Sequence, residues 1–158
     1  MDQGRTPRTL RGRVFLDTNV VVYLFDTDAP SKQQRVREIF SDRAYQGRLI
    51  TSTQVLQEFY VSVTRKLAKP LGTEVAYQAV RDLAAFPIIQ VDAPLILSAI
   101  SRNQTDQLSF WDALIIHAAL VGGATYLYTE DLQDGRIIES MRIVNPFSHT
   151  ARHERRQG

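Results

Sequence analysis

Short β-branched or aliphatic runs alternate with longer segments of helical periodicity along this chain, and that alternation decides what it can fold into. Val14-Phe15-Leu16 reads as a buried strand ending at Asp17, and Pro30 and Ser31 open a helix through about Tyr45, stopped by Gly47. Leu49-Ile50 forms a short strand, and from Ser52 or Thr53 a helix follows in which Val55, Phe59, Val63 and Leu67 recur every four residues until Pro70 and Gly72. The pattern repeats with a helix from Thr73 to about Phe86, a strand over Ile88 to Val91, and a helix started by Asp92 and Pro94. Then come an apolar helix from Phe110 to Val121 behind Ser109, a strand over Thr125 to Tyr128, and another over Arg142 to Val144. Strands separated by helices of this length need crossover connections, and right-handed crossovers give parallel pairing. The expected fold is α/β: a single domain with a mostly parallel central sheet of about five strands and helices on both faces.

A length of 158 residues suits one such domain with its own core. No repeat and no internal linker interrupts it. The expected division is a basic N-terminal extension over 1–13, a domain over 14–147 and a basic tail over 148–158. The absence of cysteine removes disulfides, thiolate metal sites and a cysteine nucleophile. The longest apolar run near the start, Val20 to Phe25, is too short for a membrane span or a secretory core, so a cytoplasmic location is expected. The formal charge of +2 is unevenly spread. Arg5, Arg8, Arg11 and Arg13 outweigh Asp2 at one end, and Arg152, Arg155 and Arg156 outweigh Glu154 at the other, leaving an acidic body. Basic ends suit a polyanion such as nucleic acid, though taken alone they read first as solvated tails.

In a parallel sheet, ligands sit beyond the carboxyl ends of the strands. That rule picks out Asp17 after the first strand, Glu58 in the helix after the second, Asp112 in the first turn of the apolar helix, and Asp131 after the strand ending near Thr129. Singly, each has a local reading. Asp17 or Thr18 caps a helix, Ser109 and Asp112 form a capping box, Glu58 pairs with Ser62 or Arg65, and Asp131 and Asp134 shape a turn. Together, four carboxylates at one edge repel one another unless a cation compensates. Oxygen donors without cysteine or a suitably spaced histidine favour Mg²⁺ or Mn²⁺ over Zn²⁺.

The stretch Phe15-Leu16-Asp17-Thr18-Asn19-Val20, Glu58 in Val55-Leu56-Gln57-Glu58-Phe59, Ser109-Phe110-Trp111-Asp112-Ala113-Leu114-Ile115, and Thr129-Glu130-Asp131-Leu132 resemble the four acidic motifs of PIN-domain ribonucleases. In size and motif order the chain is similar to VapC-type toxins of bacterial toxin–antitoxin modules, over roughly Val14 to Phe147. The resemblance implies that Asp17, Glu58, Asp112 and Asp131 are catalytic, with Asp17, Asp112 and Asp131 holding the metal directly or through water. Thr18, Asn19, Ser109 and Thr129 would fix carboxylate rotamers or hold metal-bound water. It implies metal-dependent hydrolysis of RNA to 5′-phosphate and 3′-hydroxyl ends, with water as nucleophile. Glu130 and Asp134 compete with Asp131 for the fourth acidic role. The family also implies a homodimer and a cognate antitoxin that sets a basic side chain among the acids; Phe40, Tyr45, Phe59 and Tyr60 are candidates for either surface.

Other features carry less. His117 lies five residues past Asp112 and reads as a packing or surface histidine, while His149 and His153 fall in a polar tail. Trp111, Phe59, Tyr60, Tyr126 and Tyr128 offer faces on which unpaired bases stack, though most sit at core periodicity. Arginines of the tails, or Arg65 and Lys66, are the candidates for holding RNA phosphates. An aspartyl phosphotransferase would need Asp-x-Asp where this chain has Asp17-Thr18-Asn19. The remaining alternative is a non-catalytic RNA-binding or regulatory module of the same fold.

Overall fold

A computed structural model describes residues 10–148. The tail arginines Arg5, Arg8, Arg152, Arg155 and Arg156, with His149 and His153, lie outside the described residues. The elements run β1 (Arg13–Leu16), α1 (Thr18–Val21), a 3-10 turn (Val22–Phe25), α2 (Pro30–Ser41) and a second 3-10 turn (Arg43–Tyr45). They continue with β2 (Leu49–Ser52), α3 (Thr53–Arg65), α4 (Thr73–Leu83), β3 (Ile88–Ile89) and α5 (Ala93–Asp106). The chain closes with α6 (Phe110–Val121), β4 (Ala124–Tyr128), β5 (Ile137–Ile138) and β6 (Met141–Val144). The folded body reaches into the segment expected as an extension, since Arg13 opens β1 and Leu10 is buried in the core.

The sheet has six strands in the order β3-β2-β1-β4-β6-β5, one more than expected. Every pair is parallel except β5 with β6, which pair antiparallel. β5 is only two residues long, too short for any alternation to register in the sequence. The chain travels outward from β1 through β2 to β3, then crosses back to β4 on the other side of β1. With right-handed crossovers, the reversal puts α1 to α4 on one face and α5 with α6 on the other. It also makes the gap between the carboxyl ends of β1 and β4 the switch point of the sheet, where such folds open a crevice.

Side-chain oxygens start the helices that matter for that crevice. Ser52 Oγ accepts from Val55 N, Asp92 from Leu95 N and Ser109 Oγ from Asp112 N, satisfying backbone donors that a helix end otherwise leaves open. Val14 and Phe15 of β1, Val55, Phe59 and Val63 of α3, and Ala113, Ile116, Ala118 and Ala119 of α6 are fully buried. Each large apolar side chain among them contributes about 1.5–3 kcal/mol of transfer free energy. At the far end of α6, Gly122 lets the backbone close on the sheet, because a Cβ there would stand 2.6 Å from Ile50 Cδ1 and 3.0 Å from Ile89 Cδ1. The expected helix through Tyr45 ends at Ser41, where Asp42 turns extended and restarts the 3-10 turn by accepting from Ala44 N. No helix among the described residues is long and apolar enough to cross a membrane.

Candidate active site

Asp17 follows β1, and its carboxylate is held from two sides. Oδ1 accepts from the Thr18 backbone N–H at 2.7 Å, and Oδ2 accepts from the Thr129 hydroxyl at 2.9 Å and more weakly from the Asn19 amide at 3.4 Å. Thr129, buried at the end of β4, also accepts from Asn19 Nδ2 at 3.1 Å and from Asp131 N at 3.2 Å. Asn19 Oδ1 accepts from Glu130 N in turn. One hydroxyl therefore ties the loop after β1 to the loop after β4 across the switch point. The Thr18 hydroxyl donates to Glu58 Oε2 at 2.8 Å, so Thr18 touches two acids from two elements.

Glu58 lies on α3, and its second oxygen accepts from Gln54 Nε2 at 2.8 Å, one helical turn back. It pairs with neither Ser62 nor Arg65, the partners its local reading supposes. Gln54 is a position of the candidate site that sequence reasoning missed. It is buried, and its amide also reaches the Trp111 carbonyl at 3.4 Å, leaving Oε1 without a partner among the described residues. The reverse amide orientation would set that oxygen against the Glu58 carboxylate, so the orphaned acceptor is the smaller penalty. A polar residue in the first turn of an amphipathic helix is the only signal the sequence offers for it.

These groups line one cavity of about 350 Å³, with Asp17, Thr18, Asn19, Glu58, Asp112 and Asp131 in its wall. Ser109 is not in that wall; its hydroxyl caps α6 through Asp112 N, so it positions Asp112 through the backbone rather than by touching a carboxylate. Thr129 stands behind Asp17. Of the competing acids after β4, Glu130 lines the cavity but is engaged elsewhere. Lys32 Nζ meets it at 2.9 Å and the Tyr23 hydroxyl donates to it at 2.6 Å. Lys32 also lies over the Tyr23 and Phe147 rings, 4.8 and 5.4 Å from their centroids. Burial works against that ammonium, yet Glu130 and Tyr23 hold its pKa above the ordinary value. Asp134 accepts from Asn145 N at 2.9 Å and ties the turn to the end of β6. Asp131 is left as the acid of this turn with an exposed carboxylate on the cavity.

Burial pushes the Asp17 carboxyl up to about 7, against the lowering effect of its bonds from Thr129 and Thr18, and the charges of Glu58 and Asp131 push the same way. A site of this kind demands positive charge, and every donor in it is oxygen, so the residues fit Mg²⁺ or Mn²⁺ in chemistry and in charge. Among the described residues no three His, Asp or Glu side chains stand together as a ready-made ligand set. The four acids share one cavity without converging on one point, a looser arrangement than the sequence suggests. His117 is elsewhere: its Nε2 accepts from Arg102 Nε at 2.9 Å, and burial, then that guanidinium, lowers its pKa. Tyr45 and Phe59 are buried and so leave the set of candidate interaction residues, whereas Tyr60 remains exposed.

An α/β fold with acids gathered at its switch point is shared by proteins of several chemistries, and comparison with known proteins narrows it. The PIN domain family matches residues 14–136, and the chain belongs to that family, membership of which implies nuclease activity. Among solved structures, the chain is similar to VapC20 of Mycobacterium tuberculosis, a sarcin-ricin loop cleaving toxin, at 21% identity and a TM-score of 0.58, covering 75% of this chain and 89% of that one. It is similar to a toxin–antitoxin complex from Klebsiella pneumoniae at 20% identity and a TM-score of 0.60, covering 84% and 97%. VapBC2 of Rickettsia felis, bound to a DNA fragment from its promoter, is similar at 19% identity and a TM-score of 0.55, covering 82% and 96%. No curated protein sequence was matched.

Proposed function

We propose that this protein is a metal-dependent endoribonuclease that hydrolyses RNA phosphodiesters to 5′-phosphate and 3′-hydroxyl ends and acts in the cytoplasm as the toxin of a toxin–antitoxin pair. The observation that carries this reading is the placement of Asp17, Glu58, Asp112 and Asp131, from four separate elements, on one cavity at the switch point of a PIN-family sheet. Asp17, Asp112 and Asp131 would hold Mg²⁺ or Mn²⁺, which when bound makes water acidic enough to attack and offsets charge on phosphate oxygens. The chain's own groups do the positioning. Thr129 and Thr18 N fix the Asp17 rotamer, Thr18 Oγ1 and Gln54 fix Glu58, and the Ser109 cap fixes the start of α6 and with it Asp112. The proton leaving an attacking water passes to this group of carboxylates.

An antitoxin partner and a homodimer belong to the same proposal. Tyr60 and Val61 on α3 and Tyr77 on the adjoining α4 expose apolar area suited to protein contact. The acids suit a partner's Arg or Lys as counter-charge. The test is cleavage of total bacterial RNA by antitoxin-free protein with Mg²⁺, with Mn²⁺ and with EDTA, beside the Asp17→Asn, Asp112→Asn double variant. Discrete fragments that need metal and vanish in the folded variant are expected. RNA binding without cutting in any lane would instead assign a non-catalytic binding module.

A further inference from the structure

Trp111 is 63% exposed on a helix whose next residues, Ala113 to Ile116, are all buried. Its position is not residual core packing. Among the described residues the indole meets only the Phe110 ring, edge-on at 5.2 Å, and its backbone carbonyl is tethered to Gln54. Trp111 also lines two adjoining cavities, the acidic one and a second of about 430 Å³, which share Glu58, Ser62 and Lys66 as well. The acidic cavity carries six carboxylates in its wall, whereas the second carries Glu58 alone and is otherwise completed by Gln57 and Val61. Lys66, at the end of α3, is the one cationic side chain lining either cavity among the described residues, and no ion pair among them engages it. The groove thus runs from an acidic end suited to a metal-held phosphate to an end with one free ammonium and one bare aromatic face.

Resting on the ribonuclease reading above, we infer that Trp111 and Lys66 form a nucleotide subsite beside the acids, in which the indole stacks on an unpaired base and the ammonium pairs with a phosphate of the same strand. A duplex keeps its bases stacked on each other and offers the indole none, so the subsite selects single-stranded RNA. A peptide would need no lone ammonium at the neutral end of an acidic groove, and charge complementarity favours the polyanion.

Trp111 is the only tryptophan in the chain, so its emission reports this subsite directly. The experiment titrates wild-type protein, with Ca²⁺ in place of Mg²⁺ or Mn²⁺, using a labelled oligoadenylate of about eight nucleotides, within the span of single-strand grooves. An abasic oligomer of equal length runs beside it. Quenching by the oligoadenylate and none by the abasic strand is expected. By anisotropy, Trp111→Ala weakens binding at least about fivefold, the low end for losing one stacked base, and Trp111→Phe recovers most of it. Lys66→Ala lowers the slope of log affinity against log salt by about 0.7, one single-strand phosphate contact. Binding with emission unmoved and Trp111→Ala unchanged would overturn the subsite and leave the ribonuclease reading standing. Absence of binding together with absence of cleavage would overturn both. Emission that ignores RNA but shifts in the complex with co-expressed antitoxin would overturn the subsite and give this face to the protein partner.

Discussion

Asp17 is a carboxyl that the fold keeps partly protonated, and the sign of its effect on stability follows. Its pKa rises from an ordinary 3.8 to about 7, first because it is buried and then because Glu58 and Asp131 are near. In the metal-free protein the folded state therefore binds more protons than the unfolded state between these values. Its favourable contribution is whole below pH 3.8 and is lost as pH rises through about 7. In EDTA, Asp17→Asn removes that dependence, so the variant's Tm relative to wild type climbs between pH 4 and 7 by up to about 1.4 kcal/mol of stability per pH unit and levels off above. A flat difference would mean that Asp17 titrates normally. Thermal melts at a series of pH values decide it, and the reading rests on the slope because the asparagine amide also disturbs the bonds from Thr129 and Asn19. The two neighbouring acids after β4 separate just as cleanly. Glu130 is held by Lys32 and Tyr23, whereas among the described residues Asp131 is held only through its backbone by Thr129. Asp131→Asn should lower kcat/KM for RNA cleavage at least about tenfold, and Glu130→Gln should stay within that margin, acting on the Tm through the lost Lys32 pair instead. The reverse order would make Glu130 the fourth acid.

Helix α6 shows how much of the fold the sequence carries and where it stops. Its limits, Phe110–Val121, are those the sequence predicts, because Ser109 announces the start, Gly122-Gly123 the stop, and an apolar run with no competing period lies between. The same logic finds β1 and the starts of α3 and α5 to within a residue or two. It misses α1 and the 3-10 turn after it, since Val20 to Phe25 is apolar throughout and shows neither a helical nor an alternating period. It also misses β5, whose two residues pair only because β6 is there to accept them. The acids were legible because topology sends strand ends and helix starts to one edge. Gln54 and the clamp on Glu130 were not, because nothing local says that residues 54 and 111, or 32 and 130, are neighbours. The cap makes a test at this scale. Ser109→Ala leaves Asp112 N without its side-chain acceptor, and should cost about 1 kcal/mol of stability by denaturant midpoint. Because Asp112 sits in the first turn that the cap fixes, kcat should fall as well, while Thr105→Ala on the exposed face of α5 changes neither.

For the whole molecule, the question is why a domain tolerates its acids at the one place where β1 and β4 diverge. The sheet order reverses there, so the crevice is a product of connectivity, and the loops that carry Asp17 and Asp131 are joined by the Thr129 and Asn19 bonds rather than by apolar packing. Those bonds hold like charges together, and burial, with a smaller push from Glu58 and Asp131, makes Asp17 give up part of its ionisation despite them. A divalent cation reverses the balance: it binds the folded arrangement and has no comparable site in the unfolded chain, so it raises stability by mass action. At a hundred times its Kd the gain is about 2.7 kcal/mol, which for a domain of this size raises Tm by about 5–10 °C. Wild-type protein titrated with Mg²⁺ or Mn²⁺ should show this rise, saturating with concentration, and should show a larger one at pH 6 to 8 than at pH 4, where a proton must first leave Asp17. The Asp17→Asn, Asp112→Asn double variant should gain nothing from metal. A variant that still gained from the metal would place the cation somewhere other than the switch point, and the four acids would then need another account of why their repulsion is borne.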